Sequence, residues 1–163
     1  MSDETYHLAA AQIAAMEGTH KVHFLNDQAV RTNKSLGDMT GLKAIGVHMV
    51  EVEPGRLSTE LHVHHHEEEA VYILSGTGTA VIGEEERPVG PGDFIGYRAG
   101  GLAHTIRATG DAPLRMLVVG QRLAQDVADY PKLGKRLFRQ QGTGWNMVDH
   151  ADIVVPGGSA GKK

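Results

Sequence analysis

The chain has 163 residues, which is enough for one domain with a sizeable core. Its net charge of −4 argues against nucleic-acid and anionic-membrane partners, since both favour basic surfaces, and the absence of cysteine excludes disulfides and thiolate metal sites. Because no run approaches the roughly 20 apolar residues of a membrane span and no signal peptide is evident, we expect a cytoplasmic protein with no membrane partner.

The N-terminal part of the chain, residues 1–40, is predicted to be an extension of the main domain. Residues 5–16 are rich in alanine and are followed by Gly18, a combination that favours one short helix. Residues 22–30 have an extended or mixed pattern.

Residues 41–120 carry short apolar runs that are separated by turn signals every eight to twelve residues. Strands are predicted at 43–53, 58–64, 70–74, 79–82, 87–89, 94–97, 104–108 and 114–119. This spacing predicts an all-β sandwich or small barrel rather than alternating strands and helices.

The pattern changes after Gly120, and residues 121–163 are predicted to be a helical or irregular C-terminal extension packed on the barrel. Four basic residues in it have roughly helical spacing and are interpreted as a solvated face rather than a phosphate site: Lys132, Lys135, Arg136 and Arg139. The glycine-rich end, residues 157–163, is predicted to be a flexible tail.

The densest group of possible metal ligands lies in residues 61–69, which hold four histidines and three glutamates. Successive side chains of a strand point to opposite faces, so His62 and His64 share a face. Two imidazoles on one face, with a carboxylate from the next strand, form a divalent metal site. His104 is a further candidate ligand from a second turn-rich segment.

These residues resemble the two motifs of the cupin superfamily. The first motif is matched by Gly55, His62, His64, Glu69 and Gly76, with one residue more than usual between Gly55 and His62. The second is matched more loosely by Gly92, Asp93, Gly100 and His104, with Arg98 where proline is usual and Ala108 where asparagine is usual. The resemblance covers roughly residues 40–120 and implies a double-stranded β-helix, the cupin jelly-roll barrel, which is usually a homodimer.

The resemblance also implies one divalent transition metal per chain, held by His62, His64, Glu69 and His104. Three imidazoles and a carboxylate suit Mn, Fe, Zn, Ni or Cu and do not select among them. Four protein ligands on a six-coordinate ion leave two open positions, which is typical of a catalytic site. The alternative, a solvated His/Glu loop, explains neither the spacing nor the glycines.

The preferred hypothesis is a metal-dependent enzyme for a small polar substrate, of the sugar-phosphate isomerase type. Glu67 and Glu68 flank the site and are candidate acid–base groups, although a solvated strand entrance also explains them. Tyr97 and Arg98 are candidate substrate-binding residues, since Arg98 could reach a carboxylate or phosphate. The alternatives are a cupin dioxygenase or decarboxylase, and a non-catalytic cupin that binds a metabolite as a sensor or store.

Overall fold

The computed structural model describes residues 5–156. The strands in this range are β1 (Thr19–His23), β2 (Asn26–Ser35), β3 (Ile45–Val52), β4 (Val63–His64), β5 (Glu69–Ser75), β6 (Gly78–Ile82), β7 (Glu85–Val89), β8 (Phe94–Tyr97), β9 (His104–Ala108), β10 (Leu114–Gln121), β11 (Gln125–Tyr130), β12 (Lys135–Gln140) and β13 (Gly144–Asp149). The helices are α1 (Ala10–Ala15) and α2 (Leu36–Met39), with 3₁₀ turns at Pro131–Leu133 and His150–Asp152. None of these helices is long and apolar enough to cross a membrane.

The strands form two layers of a jelly-roll barrel. One layer is a six-stranded antiparallel sheet in the order β1-β2-β3-β10-β5-β8. The other layer contains the sheets β7-β6-β9 and β13-β12-β11-β4, which are joined where residues 57 and 62 bridge to β9. The predicted all-β fold is therefore confirmed.

The hydrophobic core fills the space between the layers, because alternate residues of each strand point inward. Its fully buried members include Val52, Ile73, Leu114 and Met116, each at most 1% exposed. A smaller cluster of Ala128, Tyr130 and Leu137 packs beneath the C-terminal hairpin. The polar end of the barrel lies beyond these apolar rows.

Gly76, the last residue of the first motif, is required by the backbone. Its φ of +78° lies in the left-handed region, and a Cβ built there would approach the carbonyl oxygen of Pro113 to 2.5 Å. Only glycine fits this turn, which connects β5 of the larger sheet to β6 of the opposite layer.

Both extensions are more regular than their sequences predict. The helix expected over residues 5–16 is confined to Ala10–Ala15, and residues 19–35 add β1 and β2 to the edge of the larger sheet. Residues 125–149 form three antiparallel strands rather than helix or coil. The predicted tail, residues 157–163, lies outside the described residues.

Candidate metal centre

Backbone pairing brings His62 and His104 side by side. They form an antiparallel bridge in which the His104 N–H donates to the His62 carbonyl at 2.8 Å and the His62 N–H donates back at 3.2 Å. Their ring centroids are 4.8 Å apart, as are those of His62 and His64. Three imidazoles separated by up to 42 sequence positions therefore meet in one place.

Each of the three rings has a hydrogen-bond acceptor next to Nδ1. His62 Nδ1 lies 2.9 Å from the Glu60 carbonyl oxygen, His64 Nδ1 lies 2.5 Å from Asp126 Oδ2, and His104 Nδ1 lies 3.3 Å from the Leu102 carbonyl oxygen. A proton on each Nδ1 satisfies these acceptors and leaves the lone pair on Nε2. This arrangement of outer partners is the one that orients metal-binding histidines.

The Nε2 atoms of His62 and His64 lie close enough together to share one cation. The Nε2 atoms of His62 and His64 are 3.1 Å apart, close to the roughly 3.0 Å expected for nitrogens at right angles around an ion with bonds of about 2.1 Å. His104 Nε2 is buried and has no hydrogen-bond partner among the described residues. Converging lone pairs repel one another, and a divalent ion removes that repulsion.

Glu69 brings a carboxylate to the same place from β5. Its Oε1 lies 3.9 Å from His104 Nε2, and the residue pairs with Gly120 on one side and Tyr97 on the other. Burial raises the pKa of Glu69, while the positive charges of His64 and Arg31 lower it by less. A cation bound beside this carboxylate would offset the cost of its burial.

Burial also keeps two of the imidazoles neutral. It lowers the pKa of His62 well below its usual value, with a smaller contribution from the neighbouring His104 and His64, and it lowers the pKa of His104 to about 4. Neutral imidazole is the form that binds a metal, so these rings are ready as ligands near neutral pH.

A second group of possible ligand atoms comes from His64, Glu67 and Asp126, and these atoms lie within 4.8 Å of one another. Its charges are already paired: Glu67 Oε1 accepts the Leu123 N–H at 2.7 Å and Oε2 forms an ion pair with Arg139. Asp126 also accepts the backbone N–H groups of residues 66 and 67. An ion here would compete with the guanidinium, so this group is better suited to supporting His64.

A cavity of about 410 Å³ opens onto the three imidazoles, and Glu67, Glu68 and Tyr97 help to line it. The Tyr97 ring stacks on His104 with centroids 3.5 Å apart and planes 4° apart. Its hydroxyl is buried and has no hydrogen-bond partner among the described residues. Arg98 is exposed and does not line this cavity.

The four neighbouring histidines differ in the direction of their side chains. His62 and His64 line the cavity, whereas His65 and His66 do not. His65 instead points to the other side of the strand, where its Nε2 lies 2.9 Å from Asp129 Oδ2.

Five charged cavity residues come from the two extensions, where no site residue was predicted: Lys21, Arg31, Arg122, Asp126 and Arg139. Asp126 alternates with Ala128 and Tyr130, and a Pro–Gly turn separates β11 from β12, so a hairpin signal was present. The interpretation of Arg139 as part of a solvated face is wrong, because it points into the cavity on a strand.

The fold and this donor set define a jelly-roll barrel with a histidine-rich site inside one end. The family described as "Cupin domain" matches residues 48–120. None of the curated proteins matches the chain. Two solved structures match nearly its whole length, and they identify the chain as a member of the cupin superfamily.

The first of these is the "putative sugar phosphate isomerase" of Acidithiobacillus ferrooxidans ATCC 23270, with 54% identity, a TM-score of 0.90, and coverage of 93% of this chain and 96% of that one. The second is a "sugar phosphate isomerase from a cupin superfamily" of Silicibacter pomeroyi DSS-3, with 27% identity and a TM-score of 0.76. The match covers 86% of this chain and 94% of that one. A cupin 2 conserved barrel domain protein from Salinispora arenicola CNS-205, at 23% identity and a TM-score of 0.50, shares the fold over 58% of this chain and 77% of its own.

Proposed function

We propose that this cupin is a metal-dependent sugar-phosphate isomerase in which His62, His64, Glu69 and His104 hold one divalent transition metal. The observation that carries the proposal is the approach of the His62 and His64 Nε2 atoms to 3.1 Å in a cavity that His104 also lines, with a buried Nε2 that has no hydrogen-bond partner among the described residues. The two relatives that match most of the chain carry the name sugar phosphate isomerase, which supports this reaction class over the dioxygenase and decarboxylase alternatives.

A metal bound by these ligands would polarise the adjacent carbonyl and hydroxyl oxygens of a sugar. Interconversion of an aldose and a ketose also needs a group that moves a proton between neighbouring carbons. Glu68 suits this role, since it lines the cavity and its carboxylate makes no hydrogen bond or ion pair within residues 5–156. Glu67 is less suited, because Arg139 and the Leu123 N–H occupy its oxygens.

Tyr97 is the proposed donor of a hydrogen bond to the substrate. Burial, helped by the charge of Glu69, raises the pKa of its phenol, so the hydroxyl stays protonated throughout the physiological range. A buried hydroxyl without a partner costs free energy until something accepts its proton. A sugar oxygen bound in front of His104 would be such an acceptor.

The experiment begins with elemental analysis of untagged protein purified without chelator, where we expect about one Mn, Fe, Zn or Ni per chain. Less than about a tenth of an atom, even after incubation with each metal, would overturn the proposed site. The loaded protein is then assayed by NMR for interconversion of aldose and ketose phosphates. Tight binding of one of them without turnover would instead establish the non-catalytic metabolite-binding alternative.

The proton shuttle is tested with the variant Glu68→Gln against the matched control Glu84→Gln, an exposed glutamate on the β6–β7 turn. We expect Glu68→Gln to keep its metal and to lose about 10²- to 10⁴-fold in kcat, the usual contribution of a general acid or base. Equal kcat values for the two variants would exclude Glu68 as the shuttle.

A further inference from the structure

The cavity has a second polar region on the wall formed by the N-terminal strands, away from the imidazoles. Its basic residues come from β1, β2, β3 and the residue that follows β10, and we refer to them as the cationic wall: Lys21, Arg31, His48 and Arg122. None of these residues belongs to the proposed metal centre.

The cationic wall carries positive charge that the described residues do not balance. Arg31 donates to the carbonyl oxygen of Ser58 at 3.0 Å but forms no ion pair with any residue in 5–156, and neither does Lys21. Arg122 is the exception, since it pairs with Asp38 at 2.5 Å. The carboxylate whose charge raises the pKa of Arg31, against the larger effect of burial, is Glu69, which is a proposed metal ligand.

Two of these cations are direct partners on adjacent strands of the sheet. Lys21 on β1 is the direct partner of Arg31 on β2, and like charges in directly opposite positions destabilise an antiparallel pair. The ring of His48 lies in the same field: burial lowers its pKa most, and the positive charges of Arg122, Lys21 and Arg31 lower it further, against Asp38. A bound anion would relieve this repulsion.

The floor between the cationic wall and the proposed metal ligands contains two glycines. Gly46 and Gly120 are direct partners on β3 and β10, and Gly120 in turn pairs with Glu69 on β5. Two strand spacings, about 10 Å, therefore separate the backbone of Glu69 from that of Gly46. A Cβ on Gly46 would lie 2.8 Å from His48 Nε2 and 3.1 Å from Arg122 Nε, so these two side chains of the cationic wall pack over Gly46. A Cβ on Gly120 would meet no atom closer than 3.9 Å, so the open part of the floor lies at Gly120.

We propose that the cationic wall is the subsite for the phosphate group of the substrate, with Arg31 and Lys21 as its main anchors. The inference rests on the proposed function for the identity of the substrate and on the unbalanced charges for the position of the phosphate. A guanidinium donates two parallel hydrogen bonds to phosphate oxygens, while the lysine adds a mobile point charge. The sugar then lies over Gly120, with its reacting carbons toward the imidazoles.

The first test measures binding of inorganic phosphate by calorimetry to metal-loaded and to metal-free protein. We expect binding in both forms, because the cationic wall contains no proposed metal ligand. We expect Arg31→Gln and Lys21→Gln each to weaken binding by about 10- to 100-fold, as for loss of a charged hydrogen bond. The matched control is Arg115→Gln, an exposed arginine paired with Glu51 outside the cavity, which should bind phosphate as the wild type does.

Several results would overturn the subsite. Phosphate binding that disappears with the metal but survives Arg31→Gln would place the anion on the metal, and equal weakening by Arg115→Gln would indicate a general surface effect. If Arg31→Gln does not fold, Arg31→Lys replaces it: we expect that variant to melt near the wild-type temperature and to bind phosphate with intermediate affinity, and wild-type affinity would refute a role for the guanidinium.

The subsite and the proposed function fail in different ways. Phosphate binding that needs Arg31, together with no turnover of any sugar phosphate, would support the subsite and refute the isomerase. Turnover of a sugar phosphate with the same KM in wild type and Arg31→Gln would support the isomerase and refute the subsite.

Discussion

The hydrogen bond between Asp126 and His64 provides the sharpest test of the metal centre. Asp126 is only 2% exposed, and its Oδ2 lies 2.5 Å from His64 Nδ1. Burial raises the pKa of Asp126, but the hydrogen bonds from His64 and from the His66 backbone N–H, together with the charge of Arg139, leave the pKa below its usual value. The ionised carboxylate therefore holds the proton of His64 on Nδ1 and the lone pair on Nε2.

The change Asp126→Asn keeps the size of the side chain and removes this control. The amide oxygen can still accept the N–H groups of residues 66 and 67 at the position of Oδ1, which leaves the amide NH₂ facing His64. Nδ1 must then accept a hydrogen bond, so the proton moves to Nε2 and blocks the ligand atom. Loss of such a partner costs about 10- to 100-fold in metal affinity, or about 1.4 to 2.8 kcal/mol.

The assay is a competition titration of Zn or Mn against a chelating dye. The matched control is Asp129→Asn, since Asp129 lies on the same strand and binds His65 at 2.9 Å on the face away from the cavity. That variant also loses the ion pair with Arg136, so we expect it to be less stable and to bind metal as the wild type does. Unchanged metal affinity in Asp126→Asn, or equal losses in both variants, would refute the reasoning.

Three further predictions follow from the same structure. Burial lowers the pKa of His104 to about 4, compared with 6.5 in the unfolded chain. Unfolding therefore takes up a proton between these pH values, so the free energy of unfolding decreases as the pH is lowered. In urea titrations we expect the metal-free wild type to lose about 2 kcal/mol more than His104→Asn between about pH 7 and about pH 5, and parallel pH profiles would contradict this. The change Tyr97→Phe removes a buried hydroxyl that has no hydrogen-bond partner within residues 5–156, so we expect an unfolding midpoint no lower than that of the wild type and a raised KM. A clear loss of stability would mean that the hydroxyl does have a partner. Tyr72 and Phe94 form a cross-strand pair that is 44% and 67% exposed on the outer face of the larger sheet, so we expect a homodimer in gel filtration that Phe94→Glu converts to a monomer. A monomeric wild type would be the contrary result.

The shared face of the two neighbouring histidines in the candidate metal centre could be predicted from the sequence because it is a local feature. The alternation of a strand puts His62 and His64 on one face without any knowledge of the fold, and their Nε2 atoms lie 3.1 Å apart. The strands at Phe94–Tyr97 and His104–Ala108 have the bounds that their turn signals predict. Gly76 shows the same principle, since its φ of +78° is a backbone requirement that the chain expresses as one residue type.

The partners of that site could not be predicted, because they depend on which strands meet in space. Asp126 is 62 positions from His64, and its role arises only when β11 pairs with β4. Arg31 and Lys21 belong to an extension that joins the edge of the larger sheet, and a basic residue in isolation is typical of a solvated face. The sequence by itself determined the ligand types and their shared face, since these follow from covalent geometry. Only the tertiary structure decided which charges surround the cavity, because long-range strand pairing places them there.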